Sequence, residues 1–274
     1  AFRICKGCCI GCCAFVFNYF SDYVVHYSSL VDLLPKDLEC HFFDSIESTN
    51  YFLTNRPFSN KVQLCVAREQ TQGKGQHGRL WESQRDGSIL FSIRRNFPKE
   101  CNLNGLSLVV GLAIAKVLER ECLAVGFQIK WPNDIYFEDK KLAGVLLENK
   151  MQSKNQSVVI GVGINYALDL DMVFEIPWTD LSRITKILPD IRFLTAKIIN
   201  EILVMSEHFK SFNFDDFQSD WKRYDMLKGK YIKCINLEDS FEGEVVGVSS
   251  QGALKIYTKN GVRELYSSRH IEYI

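Results

Sequence analysis

Glu69-Gln70-Thr71-Gln72-Gly73-Lys74-Gly75-Gln76-His77-Gly78-Arg79-Leu80-Trp81 follows directly on Val62 to Ala67, an apolar run with the length and composition of a buried strand. Read literally, Gly73-x-Gly75-x-x-Gly78 is the dinucleotide fingerprint, in which glycines let the backbone approach a pyrophosphate at a helix N-terminus. That fold requires a helix to begin here, and Arg79 to Ser88 has no helical spacing of apolar residues. It also requires an acidic residue about 20 positions onward for the ribose. That neighbourhood is instead the strand-like run Ser88 to Arg94. What remains is a glycine-rich loop carrying Lys74, His77 and Arg79, able to surround phosphates with N–H groups and cations and to close over a reactive intermediate. An ordinary solvated surface loop is the plainer alternative for this segment alone.

Working outward, Leu106, Val109, Val110, Ala113, Ile114, Val117 and Leu118 have the spacing of an amphipathic helix. Strands are expected at Phe127 to Trp131, Leu142 to Glu148 and Val158 to Ile164. A long helix is expected from Ile191 to Phe212, and a shorter one ending near Tyr224. Residues 36–226 therefore form a mixed α/β unit. After Leu227 the texture changes to short β-rich runs, Tyr231 to Ile235, Phe241 to Val248, Ala253 to Thr258 and Val262 to Tyr266. Lys259-Asn260-Gly261 supplies a hairpin turn between the last two. Residues 227–274 fit a small appended barrel of the SH3 kind.

Composition excludes several classes. Of the 274 residues 46% are apolar, and Lys plus Arg and Asp plus Glu both number 33, which fits a soluble globular chain with no global field for nucleic acid or anionic membrane. Cys5, Cys8, Cys9, Cys12 and Cys13 crowd the first residues, whereas Cys40, Cys65, Cys101, Cys122 and Cys234 are scattered singly, as suits a reducing cytoplasm. The run Cys8 to Phe20 follows Arg3 and Lys6 but lacks a clear cleavage site and falls well short of the ~20 residues that span a bilayer. No His or second spaced pair completes a zinc pattern there. Residues 1–35 are thus expected to be a Cys-rich leader outside the catalytic core, with no membrane association.

Three further segments carry polar groups in unusual settings. In Ile129-Lys130-Trp131-Pro132-Asn133-Asp134-Ile135, Pro132 fixes φ and drives Trp131 towards extended geometry, so Lys130 and Asp134 flank a stiff turn. Lys140-Lys141-Leu142-Ala143-Gly144-Val145-Leu146-Leu147-Glu148 places Lys141 at a strand entry, and Gly144 allows a ligand or another backbone to come close. Val158-Val159-Ile160-Gly161-Val162-Gly163-Ile164-Asn165 is an apolar strand with two glycines ending in Asn, and in Phe43-Asp44-Ser45-Ile46-Glu47-Ser48-Thr49-Asn50 Ser48 can cap a helix.

Taken in order, Ser-Thr-Asn, the glycine loop ending Arg-x-Trp, Lys-Trp-Pro-Asn-Asp, Lys-x-x-Gly-x-Leu-x-Glu and Gly-x-Gly-x-Asn resemble the biotin protein ligases over roughly residues 40–274. The resemblance implies a biotin/lipoate ligase-like α/β catalytic domain with an SH3-like tail, acting on ATP and biotin as substrates with Mg2+, whose ligands the sequence leaves open. It implies Lys141 between the biotin carboxylate and the α-phosphate, with Arg79 and Lys130 supporting the phosphates. Asp134 would orient the acceptor amine or take its proton, a structural salt bridge to Lys130 being the alternative. Ser48, Thr49, Asn50, Gln70, Lys74, Gly75, Gln76 and Gly144 fall on the biotin side. Gly73, His77, Gly78, Arg79, Asn165 and Trp178 fall on the ATP or adenylate side, with a buried core tryptophan as the alternative for Trp178. Many family members carry Arg at the position of Gln76, so one loop cation is absent here.

The implied partner is a biotin carboxyl-carrier domain, expected to be that of acetyl-CoA carboxylase, and the family also allows a homodimer formed through sheet edges. Some members bind DNA through an N-terminal winged helix, for which residues 1–39 are too short and lack a basic recognition helix, so a monofunctional ligase is expected. The competing readings are a lipoate or octanoate ligase or transferase of the same fold, and a non-catalytic biotin-binding or DNA-binding regulator.

Overall fold

The computed structural model describes residues 29–172, 174–235, 240–268 and 270–274, and the Cys-rich run at 1–20 lies outside them. Two sheets are built in chain order. The larger has seven strands: β1 (Glu39–Phe43), β2 (Gln63–Ala67), β3 (Ser88–Pro98), β4 (Phe127–Lys130), β5 (Asp134–Phe137), β6 (Lys140–Met151) and β7 (Asn155–Asn165), ordered β1-β2-β3-β7-β6-β5-β4. β1 and β2 are parallel, and every other pair is antiparallel. Among the described residues this mixed sheet matches the expected α/β class, and no helix is long and apolar enough to cross a membrane.

One face of the sheet carries the core. Helix α2 (Leu106–Cys122) and helix α3 (Ile191–Phe212) pack on each other and on that face, while the short helix α1 (Thr49–Thr54) lies against strands on the other. The central strands are buried on both faces, so β3 sends Ile89, Phe91 and Ile93 into the main core and Ser88, Ser92 and Arg94 to the α1 side. Arg94 is buried there because its guanidinium donates to the carbonyls of Leu53, Arg56 and Pro57, satisfying backbone groups released at the C-terminal end of α1.

Helix α3 starts where its cap dictates. Asp190 accepts from the N–H groups of Arg192 and Phe193, and the Arg192 side chain and those two amides hold its carboxyl down to about 2 despite partial burial. Asp190→Ala is expected to cost about 1 kcal/mol of stability. Because the folded pKa lies below the unfolded one, that contribution is complete above about pH 4 and disappears as pH falls towards 2. Thermal melts of the two proteins should therefore converge in acid.

The expected leader boundary needs correction. Leu30 and Leu34 belong to the main buried cluster, and Asn200 Nδ2 donates to the Leu33 carbonyl, so the core takes in chain before residue 36. The tail forms β8 (Tyr231–Ile235), β9 (Ser240–Val248), β10 (Leu254–Thr258), β11 (Gly261–Leu265) and β12 (His270–Tyr273), antiparallel in the order β11-β10-β9-β8-β12. β11 and β12 are edges, so this is an open sheet and not the closed barrel expected. Its apolar face stays dry because Ile232, Val245, Leu254 and Ile256 join the same buried cluster as the larger sheet.

Candidate active site

A cavity of about 610 Å3 opens on the α1 face of the larger sheet, between that helix, the glycine loop and the strands β6 and β7. Its floor follows from strand alternation. Gly161, Gly163 and Asn165 of β7 face it, and a side chain at either glycine would be blocked: a Cβ at 161 would lie 2.1 Å from Asn50 Oδ1, and one at 163 would lie 2.4 Å from the Trp81 indole. In β6, Lys141 and Gly144 both line the cavity although they differ in parity. The β5–β6 register shifts between Ile135 and Tyr136, leaving Leu142 as the extra residue, and that bulge turns Lys141 to the cavity side.

At one end, polar groups are linked in a buried chain. Ser48 caps α1, and Gln70 Oε1 accepts from the Thr49 N–H at 2.7 Å and its hydroxyl at 3.0 Å. Ser92 Oγ stands 2.7 Å from Thr49 Oγ1 and 2.6 Å from Asn50 Oδ1, and Asn50 Nδ2 donates to Glu148 Oε2 at 2.8 Å. Such a network presents fixed donors and acceptors to a small polar ring.

At the centre, Lys141 Nζ donates to Asp134 Oδ2 at 2.8 Å and lies 5.7 Å from the Trp81 ring centre. Its backbone is held on both sides, its N–H donating to the Pro177 carbonyl and its carbonyl accepting from Thr179 N–H. Asp134 pairs with Lys141 here, whereas the sequence reading offered Lys130 as its salt-bridge partner.

At the far end stand Asn165 and Trp178. Asn165 Nδ2 donates to the Thr179 carbonyl at 3.0 Å while its buried Oδ1 has no partner among the described residues. Trp178 lines the cavity rather than the core, with the Arg183 guanidinium 4.0 Å over its ring and Phe174 beside it.

The glycine loop closes the front as a small hairpin. Trp81 N–H donates to Gly73, Gly75 N–H donates to Arg79, and a three-residue 3-10 turn, Gln76–Gly78, makes the tip. No long helix begins there, consistent with rejecting the dinucleotide fold. Gly73 is required because a Cβ would meet the Trp81 carbonyl at 2.4 Å, and Gly78 because its φ is 78°.

Thirteen of the expected residues thus line one cavity: Ser48, Thr49, Asn50, Gln70, Lys74, Gly75, Gln76, Arg79, Asp134, Lys141, Gly144, Asn165 and Trp178. Gly73, His77, Gly78 and Lys130 do not. His77 turns to the tail, where its Nε2 lies 3.2 Å from the Ser268 carbonyl. Lys130 faces Tyr136 and, at 4.9 Å, the ring of Tyr273. Burial pulls its ammonium below the ordinary lysine range; Asp134 opposes this, and Lys141, Lys230 and Arg79 add to it. Sequence reading missed Ser92 and Glu148 as network members and Trp81, Asn133 and Phe174 as wall. A serine in the middle of a doubly buried strand was the available signal for Ser92.

A model of the biotin/lipoate A/B protein ligase family matches residues 42–165. The bifunctional ligase/repressor BirA of Salmonella typhimurium is 33% identical over 215 residues, which is 76% of this chain and 66% of that protein. A biotin--[acetyl-CoA-carboxylase] ligase of Paracoccus denitrificans is 35% identical over 104 residues, 37% of this chain and 43% of that one. The chain thus spans just under two thirds of the repressor's length. Among solved structures, the Aquifex aeolicus biotin protein ligase in complex with biotin and ATP superposes with a TM-score of 0.74 at 29% identity, covering 86% of this chain and 99% of the other. A mutant of the Aquifex aeolicus enzyme in complex with biotin gives a TM-score of 0.73 at 30% identity, covering 86% of this chain and 98% of that one.

Proposed function

The chain belongs to the biotin protein ligase family, and on that premise we propose that it activates biotin with ATP to biotinyl-5'-AMP and transfers the biotinyl group to a lysine of a biotin carboxyl-carrier domain. The observation that carries this reading is the placement of Lys141 in one cavity between the Thr49–Asn50–Gln70 wall and the Asn165–Trp178 wall.

In the first step a carboxylate oxygen of biotin attacks the α-phosphorus, the bond to the β-phosphate oxygen breaks, and pyrophosphate leaves. Two anionic groups must meet, and fixed cations in a largely enclosed site offset their repulsion. Lys141 stands at that point, with Arg79 entering from the loop. The Thr49, Asn50 and Gln70 groups hold the ureido ring, and Asn165 Oδ1 is left to accept from the adenine side. Magnesium would enter the reaction as the ion of the Mg·ATP substrate, a role that asks for no more than one or two protein carboxylates. In the second step the acceptor lysine amine attacks the mixed anhydride and AMP leaves. Asp134 orients that amine and takes its proton.

The acetyl-CoA carboxylase carrier is the acceptor class suggested by the name of the Paracoccus relative. The five described cysteines are free thiols, in keeping with a reducing cytoplasm. Gln76 lines the cavity at the loop tip. Gln76→Arg should release less free biotinyl-adenylate during turnover without acceptor; equal leakage from both proteins would remove the loop-charge explanation. The reading as a whole is tested by ATP–pyrophosphate exchange with biotin and with lipoate. Exchange that needs biotin supports it, and exchange with lipoate alone would transfer the chain to the other branch of its fold.

A further inference from the structure

Behind the cavity, one ionic cluster joins the three segments that build it. Asp44 follows β1 four residues before Ser48, Arg68 follows β2 two residues before Gln70, and Asp86 lies two residues before β3 begins. Arg68 spans them. Its Nε donates to Asp86 Oδ1 at 2.7 Å and Nη2 to Asp86 Oδ2, while Nη1 donates to Asp44 Oδ1 at 2.9 Å. Arg85 donates to the other oxygen of Asp44 and lies 4.0 Å from Glu69 Oε2.

The backbone follows the same path. Arg68 N–H donates to the Phe43 carbonyl at 3.1 Å, and Asp86 N–H to the Arg68 carbonyl at 3.2 Å. Asp86 has a φ of 59°, in the left-handed region that Asp adopts more readily than most non-glycine residues, and so makes the turn into β3. The turn it belongs to reaches the adenylate wall: the Gly87 carbonyl accepts from Tyr166 and Ala167 N–H at 2.9 and 3.0 Å, and Gln84 Oε1 accepts from Asp169 N–H at 2.8 Å. Arg68 itself does not line the cavity. Isolated surface ion pairs contribute little, but a bidentate guanidinium fixed between two carboxylates, with its side chain only 21% exposed, forms a connected network of defined geometry.

We propose that Arg68 is a positioning residue that holds the biotin wall and the adenylate wall of the cavity in register, so that both substrates bind more weakly when its fork is removed. The proposal rests on the ligase reading above. Arg68→Ala is expected to raise the dissociation constants of biotin and of ATP about tenfold each. Arg68→Lys should recover only part of this, because an ammonium cannot bridge two carboxylates in the same plane. Asp44→Asn, which removes one arm, should show a smaller loss for biotin than Arg68→Ala.

Calorimetric titration of each variant with biotin and with ATP, alongside thermal melts, tests it. A merely structural role would lower the melting temperature or the active fraction and leave both dissociation constants unchanged, and that result overturns the proposal whatever the melts show. Weakened binding of both substrates by Arg68→Ala with partial recovery in Arg68→Lys supports it. If the unaltered protein fails to bind biotin, the ligase reading itself is overturned, a result separable from the first because it appears before any substitution.

Discussion

Lys141→Ala should lower the rate of biotin-dependent ATP–pyrophosphate exchange about a thousandfold, since removing one preorganised donor from a developing anionic centre costs about 10^2–10^3 in rate. Little else should change. Lys141 is held through its backbone, to Pro177 and Thr179, and those bonds survive truncation of the side chain. Asp134 loses its ammonium partner but is 22% exposed and can be rehydrated, so the melting temperature should stay close to that of the parent protein. Biotin should still bind, because the groups proposed to hold its ring, at the Thr49–Gln70 end of the cavity, are untouched. A variant with more than a tenth of the parent exchange rate would place the charge-neutralising group elsewhere, with Arg79 the next candidate.

Gly161→Ala should fail for a different reason. The added methyl would stand 2.1 Å from Asn50 Oδ1 and 2.8 Å from its Cγ, and Asn50 is itself fixed by Ser92 and Glu148. Either the side chain leaves its network, stranding buried polar groups, or β7 moves against its neighbours β3 and β6. The expected cost is about 1–3 kcal/mol of stability. Biotin affinity should fall by more than tenfold, because the displaced amide belongs to the wall proposed to recognise the ring. Calorimetric titration and thermal unfolding on the same sample read both. Unchanged affinity in a folded Gly161→Ala protein would detach Asn50 from biotin recognition.

Much of the fold was legible because its long elements have strong periodicity. The helix Ile191–Phe212 has the bounds that its apolar stripe implies, and the β7 run Val158 to Ile164 extends only a few residues further. β1, β5 and β12 were not read. They are four or five residues long, and what makes each a strand is its neighbour in the sheet rather than its own pattern. Four of the five tail strands, β8 to β11, were placed correctly, but sequence carries no signal for whether an antiparallel sheet closes, and this one does not.

The site divides in the same way. Motif residues converge because they occupy strand ends and bulges around one face. Lys130 lies outside the cavity lining because β4 is the edge of the larger sheet, where its ammonium faces the rings of Tyr273 and Tyr136. Ser92, Glu148 and Arg68 act through partners 42, 98 and 24 or fewer positions away in the chain, and such long-range pairings leave no local spacing to read.

The most direct test of the central claim is incorporation of labelled biotin into a purified biotin carboxyl-carrier domain, with and without ATP, and with lipoate in place of biotin. Label transferred only with ATP, to the carrier lysine, and not matched by lipoate is the predicted result. A folded protein that binds both substrates yet transfers no biotin to the carrier would contradict it.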